Sequence, residues 1–502
     1  MRYIFVTPHG VIDTLTGELS DRPSVEQLLS ERPGGIIAGR NLYPVLAPLV
    51  NEARSDIGFS ATIVTQRKRQ VGDRVGGIIY LSHLYYRYPK DRSKTVLVKT
   101  EYGLVPRTTR FRPTSIKWLV LNLELFCETE DIEGAARALV DLAERRGVKP
   151  RYSPGAYGSA MLRASPKWES GRHAAPWFIS EIARNELPGN FYVLRSGYRR
   201  AERAYYLDQK SSHHNIASTI TLPHPHYLRA RGRLRAVERE RYPIWIKPSE
   251  LDILNRHVGL LCVMMEISKI PTQLSHLYPP WAQQPGRRHI WLWTPELRLL
   301  DRLTRLQWVS AGLTSFMPDP ALREYADWSL DYLSSDPHSV VKPALLAAYG
   351  MLGVKSTDTI ERYSVHGRGK PPHADVCRLP LIDHVYRSTI NRRRAPVLQN
   401  VVARGVIEAE TRTRSLEFAR QLESEQHPVI QIYADGLLTT ASQLPFMPEG
   451  WRVAGELTRV SSPHPNSILS SQMVRLPGIP GGRRAARILA PDPLTSKPDA
   501  VD

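Results

Sequence analysis

No other stretch of the chain narrows the fold as much as Val429–Thr440, which reads Val-Ile-Gln-Ile-Tyr-Ala-Asp-Gly-Leu-Leu-Thr-Thr. Val429–Tyr433 alternates with the period of a strand, and Asp435-Gly436 is a preferred hairpin pair because both residues tolerate positive φ. Leu437–Thr440 then supplies the return strand. Ahead of it runs a long helical pattern from about Val401 to Glu425, carrying Ile407, Leu416, Phe418, Ala419 and Leu422. A second strand-like run, Ala204-Tyr205-Tyr206-Leu207, ends at Asp208. The chain therefore mixes helices with an antiparallel hairpin.

At 502 residues, 42% of them apolar, the chain has material for two to four globular domains with real cores. Its 68 basic and 49 acidic residues leave a net charge of +19, a potential attractive to phosphate-rich partners. Nucleic acid is the leading partner on that ground, and a generally basic soluble surface is the alternative. No apolar run approaches the roughly 20 residues of a membrane helix; the longest are Val258–Met265 and Pro343–Tyr349. No membrane association is expected, and Met1–Gly10 does not read as a signal peptide. Cys127, Cys262 and Cys377 are widely separated with no CxxC pair, which fits a reducing, cytoplasmic location.

The chain opens with short strands at Tyr3–Thr7, Gly35–Ala38 and Gly77–Leu81, as in an α/β domain. A helix follows Thr129-Glu130-Asp131, with Gly147 as its stop. The Pro-, Gly- and Ser-rich stretch between Tyr152 and Gly189 marks a domain boundary. The arginines between Leu228 and Tyr242 suit a solvated helix face, and Pro320–Leu333 with Lys342–Leu352 suit an antiparallel helical pair. His213, His214, His224 and His226 have no standard zinc spacing. Beyond Pro491 little remains to bury, so a frayed tail is expected.

Asp208 at a strand end, Lys342 at a helix start and Asp435 at a hairpin tip are each ordinary alone. Taken jointly they suggest chemistry. Two carboxylates on adjacent strand ends can hold two Mg²⁺ ions about 3.5–4 Å apart. A lysine on a facing helix would grip a triphosphate.

In this order the motifs resemble those of family B DNA polymerases, most closely the protein-primed kind of phages, over roughly residues 150 to 480. The family's Asp-x-x-Ser-Leu-Tyr-Pro-Ser motif aligns with Asp208-Gln209-Lys210-Ser211-Ser212-His213-His214-Asn215, retaining Asp208 and Ser211. His213 stands where the family has the tyrosine that closes off the sugar 2′ position. The fingers motif Lys-x₃-Asn-Ser-x-Tyr-Gly aligns with Lys342 through Gly350, retaining Lys342, Tyr349 and Gly350. The Tyr-x-Asp-Thr-Asp-Ser motif aligns with Tyr433–Leu438, keeping Asp435 and placing Leu437 at the second acid. Either Asp435 takes over that acid's task or the site binds metal weakly.

The resemblance implies an α+β right-hand polymerase with palm, fingers and thumb, preceded by an RNase H-like exonuclease-type α/β domain. Its division would be residues 1–185 exonuclease-type, 186–300 first part of the palm with an insertion, 301–370 fingers, 371–450 second part of the palm, 451–490 thumb and 491–502 a disordered tail. It implies a DNA-directed DNA polymerase that adds deoxynucleotides to a primer 3′ end, with Mg²⁺ or Mn²⁺ held by Asp208 and Asp435. Lys342, Tyr349, Ser211 and His213 would meet the nucleotide; Gly189, Gly350, Arg475 and Arg483 would meet DNA. Partners would be primer–template DNA, deoxynucleotides and a terminal protein or other replication proteins. The strand Phe5-Val6-Thr7-Pro8 lacks the family's exonuclease carboxylates, so that activity is expected to be absent. A non-catalytic nucleic-acid binder on a decayed polymerase fold is the alternative, followed by a ribonucleotide-tolerant, primase-like transferase.

Overall fold

The computed structural model describes residues 3–7, 10–13, 19–20, 35–51, 58–67, 77–87, 95–100, 103–108, 116–126, 130–169, 192–194, 200–225, 229–232, 258–315, 317–335, 340–353, 359–365, 375–379, 382–391, 400–433, 435–440, 447–461 and 470–474. The chain divides into two compact units. The first comprises Met1–Met161, His338–Ala347 and Ser356–Arg394; the second comprises Leu162–Pro337, Ala348–Lys355 and Ala395–Asp502. Among the described residues no helix is long and apolar enough to cross a membrane.

The first unit is built on a ten-stranded mixed sheet. Tyr3–Thr7 lies between Gly10–Asp13, antiparallel, and Ile36–Gly39, parallel; Ile36–Gly39 in turn pairs parallel with Ile116–Asn122. Parallel neighbours require crossovers, and helix Leu42–Asn51 lies in the first connection between Ile36–Gly39 and Ile116–Asn122. Ile4, Phe5, Ile37 and Ala38 are fully buried, as expected of strands in the interior of a sheet. Helix Ile132–Arg145 starts where its sequence predicts, because the Asp131 carboxylate accepts from Gly134 N at 2.8 Å. Gly147, at φ +66°, takes the left-handed position that ends it.

Three later strands enlarge this sheet. Thr359–Val365 pairs with Gly58–Arg67, and Ile382–Asn391 and Asp375–Leu379 follow outward. The sequence-based division placed residues 371–450 together with the Asp435 hairpin; strands 375–379 and 382–391 instead belong to the first unit. The reason is an open edge. Gly58–Arg67 has a partner on one side in Gly77–Arg87, and its other ladder is filled by a strand some 300 residues distant in sequence.

The second unit holds an antiparallel six-stranded sheet in the order Tyr192–Leu194, Val429–Tyr433, Gly436–Thr439, Arg200–Gln209, Trp451–Ser461, Ser470–Val474. Tyr205, Leu207, Val429, Ile432, Leu437 and Trp451 bury one face of it, sharing a core with Leu416, Phe418, Ala419 and Leu422 of helix Val401–Ser424. Fully burying each such aliphatic side chain contributes about 1.5–3 kcal/mol. Trp451–Ser461, within the range expected to form the thumb, pairs along Arg200–Gln209. The Trp451 ring centroid lies 4.7 Å from that of Phe418 in the shared core.

The second unit also holds a four-stranded sheet in the order Arg229–Gly232, Thr304–Ser315, Val258–Ile267, Gly286–Trp293. Arg229–Gly232 is thus a strand, where the arginine-rich stretch suggested a helix; residues 233–242 lie outside the described residues. Helix Val401–Ser424 approaches the Trp293 end of this sheet closely. A Cβ on Gly405 would sit 2.1 Å from the buried Trp293 ring, so only glycine fits there. Helices Pro320–Ser335 and Val341–Leu352 occur where predicted.

Candidate functional site

Asp208 and Asp435, far apart in sequence, occupy neighbouring ladder positions. In the antiparallel pairing of Arg200–Gln209 with Gly436–Thr439, Asp208 stands opposite Gly436. Gln209 N also donates to the Asp435 carbonyl at 2.9 Å. Asp435 sits at the turn, as predicted, but Gly436 does not have positive φ. The glycine is there for space: a Cβ on Gly436 would lie 2.5 Å from the Tyr206 hydroxyl.

On its other side Asp208 faces Arg452, its directly opposed partner on Trp451–Ser461. Arg452 Nη2 donates to Asp208 Oδ2 at 2.8 Å, and Nε donates to the same oxygen at 3.2 Å. The turn that delivers Arg452 depends on Gly450, at φ +83°, whose carbonyl accepts from Lys210 N at 2.8 Å. Leu437, at the position of the family's second acid, stands opposite Leu207 inside the shared core, 1% exposed. Among the described residues no three His, Cys, Asp or Glu side chains converge as a metal-binding group.

Behind Asp208 the chain turns through Ser211, in the left-handed region at φ 43°, into helix Ser212–Thr219. A buried polar network fixes that turn. Gln209 Nε2 donates to Thr411 O at 3.0 Å and Ser415 Oγ at 2.9 Å, and Ser212 Oγ donates to Gln209 Oε1 at 3.1 Å. Each such bond contributes about 1 kcal/mol, and leaving its buried partners unmet costs more.

His213, half-buried, has its ring centroid 5.9 Å from that of Tyr349. His214 is fully buried, its Nδ1 3.0 Å from the Tyr349 hydroxyl. Tyr325 stacks edge-on to Tyr349 at 6.0 Å. Burial raises the Tyr349 phenol well above its usual range, with Tyr325 and Asp327 adding to the effect. The hydroxyl therefore stays protonated. Two of the predicted histidines thus belong to an aromatic cluster, while His224 Nε2 lies 3.4 Å from Glu169.

Of the other predicted residues, Lys342 is half-buried on helix Val341–Leu352, in the portion grouped with the first unit; Tyr349 and Gly350 fall in the portion grouped with the second. Gly350 is exposed, and its carbonyl accepts from Arg404 Nη1 at 3.2 Å. Gly189, Arg475 and Arg483 lie outside the described residues, as does His226. Sequence reasoning missed Gln209 and Arg452. Gln209 could have been suspected as a polar residue closing an apolar strand; nothing local marks Arg452, whose role follows from strand register.

No family model matches the chain, and no curated protein matches it by sequence. Solved structures do match. Phi29 DNA polymerase complexed with primer-template DNA and incoming nucleotide substrates superposes with a TM-score of 0.55 at 12% identity, covering 94% of this chain and 86% of that one. The same polymerase complexed with single-stranded DNA gives 0.55 at 13% identity, covering 93% and 84%. In fold, the chain resembles phi29 DNA polymerase. This likeness in fold agrees with the resemblance that the motifs carry.

Proposed function

We propose that this chain is a DNA-directed DNA polymerase that adds deoxynucleotides to a primer 3′ end on a template. The position of Asp208 at a strand end, opposite Gly436 and next to the turn that carries Asp435, in a fold resembling a DNA polymerase, carries this reading. Two hard oxygen donors at adjoining positions fit a divalent cation, Mg²⁺ or Mn²⁺. With Leu437 in the core, the donor set suits one such ion better than two. When bound, the cation would supply charge neutralisation to the phosphates.

The chain's own groups would do the rest. Ser211 and His213 would line the nucleotide beside Asp208, with Tyr349 behind them. Lys342 would meet the triphosphate, and Gly189, Gly350, Arg475 and Arg483 would follow the DNA. His213, smaller than the family's tyrosine, leaves room for a 2′ hydroxyl. The first unit would lack exonuclease activity, because Tyr3–Thr7 carries no carboxylate. A terminal protein or other replication proteins would be partners, in a cytoplasmic setting.

A second reading, a non-catalytic DNA binder on the same fold, draws support from the Arg452–Asp208 ion pair and from Leu437. Primer extension with all four deoxynucleotides and Mg²⁺ or Mn²⁺ separates the two: extension supports the polymerase, and DNA binding without extension supports the binder. Both readings share one expected result. With a net charge of +19, binding to primer–template should weaken steeply with salt. Neutralising about five phosphates gives a slope of about −4.5 in log K against log salt. A flat profile measured by fluorescence anisotropy would remove DNA from the account.

A further inference from the structure

We infer that Arg452 is the resident counter-ion of Asp208, and that a divalent cation must displace its guanidinium to reach that carboxylate. This rests on the polymerase reading for its functional meaning, though not for its geometry. Asp208 is flanked across the ladder by Gly436 on one strand and Arg452 on the other. Both donors of Arg452 converge on one oxygen, Oδ2, at 2.8 and 3.2 Å. The Asp208 side chain is 15% exposed and that of Arg452 41%, so the carboxylate is held mostly inside while the guanidinium reaches it from the solvent side. Charge-assisted contacts of this kind are short and strong, and partial burial spares them much of the screening that weakens surface pairs.

The charge balance points the same way. Asp208, Asp435 and Arg452 together carry −1, a poor match for a divalent ion. A third carboxylate would deepen the negative potential, but Leu437 stands at that position, buried in the core. Arg452 thereby sets the threshold for metal entry: it neutralises Asp208 while no metal is bound and yields only when another cation competes for Oδ2. Its role is to position and neutralise Asp208.

The test is a Mn²⁺ titration of the full chain followed by electron paramagnetic resonance, comparing wild type, Arg452→Gln, Asp208→Asn and the double variant. Arg452→Gln is expected to bind Mn²⁺ about tenfold tighter or more, because one like charge is gone and one competitor is removed. Asp208→Asn is expected to bind more weakly. In the Asp208→Asn background the gain from Arg452→Gln should fall below about threefold, the signature of direct coupling. Unchanged or weaker Mn²⁺ binding in Arg452→Gln overturns the inference. So does a gain that persists undiminished without the Asp208 charge, or an absence of Mn²⁺ binding in every variant. Circular dichroism checks folding, and Arg452→Met, which keeps the aliphatic stem, serves if the glutamine variant does not fold. Primer extension is scored separately: tightened Mn²⁺ binding with no extension sinks the polymerase reading and leaves this one standing, and the reverse pattern does the opposite.

Discussion

Replacing Glu296 by alanine is expected to destabilise the second unit by about 3–5 kcal/mol, the usual cost of removing one member of a buried ion pair. Arg412 Nη2 donates to Glu296 Oε1 at 2.9 Å, and both side chains are at most 4% exposed. The other carboxylate oxygen accepts from Trp293 N at 2.9 Å, so the substitution removes the charged partner of a buried guanidinium and the acceptor of a backbone N–H together. Arg412 lies on helix Val401–Ser424, one residue from Thr411 of the Gln209 network, so the damage reaches the support of the Asp208 turn. The paired change Glu296→Gln with Arg412→Met removes both charges, keeps the Trp293 bond, and should recover the loss to within about 1–2 kcal/mol. Hydrogen exchange of the 401–424 amides reads both effects. A loss below about 1 kcal/mol for Glu296→Ala would mean that the guanidinium finds other partners.

Asp208→Asn is expected to reduce primer extension about a thousandfold or more, while DNA affinity stays within about threefold of wild type. Asparagine keeps the size of the side chain and can still accept a bond from Arg452, so the fold and the DNA surface have no reason to change. What is lost is the negative charge that would hold a cation against the reacting phosphate, and several kcal/mol of transition-state stabilisation go with it. Rapid-quench extension and anisotropy on the same preparation separate the two quantities. Extension within tenfold of wild type would show that Asp208 is not at the reacting centre.

Much of the fold was legible because it is local. Helix Ile132–Arg145 has its cap, apolar spacing and glycine stop in one short window, and the 429–439 hairpin is written in alternation and an Asp-Gly turn. The role of Gly436 was read as backbone freedom and is in fact room for Tyr206, a contact no local pattern encodes. Non-local pairing hid more. Strands 375–379 and 382–391 complete an edge left open by Gly58–Arg67, and Trp451–Ser461 fills the free side of Arg200–Gln209; register of this kind is set across hundreds of residues. The strand end at Asp208 and the turn at Asp435 could therefore be read from sequence, while the Arg452–Asp208 ion pair, which register sets, could not.

The central claim is that the two acids serve templated synthesis, and single-turnover incorporation tests it most directly. Wild-type chain is mixed with a primer–template and one deoxynucleotide at a time, in Mg²⁺ or Mn²⁺. The account expects the primer to lengthen by one residue with the nucleotide complementary to the template, and far more slowly with the other three. Tight binding of the primer–template with no lengthening in either metal, or equal addition of all four nucleotides, would contradict it.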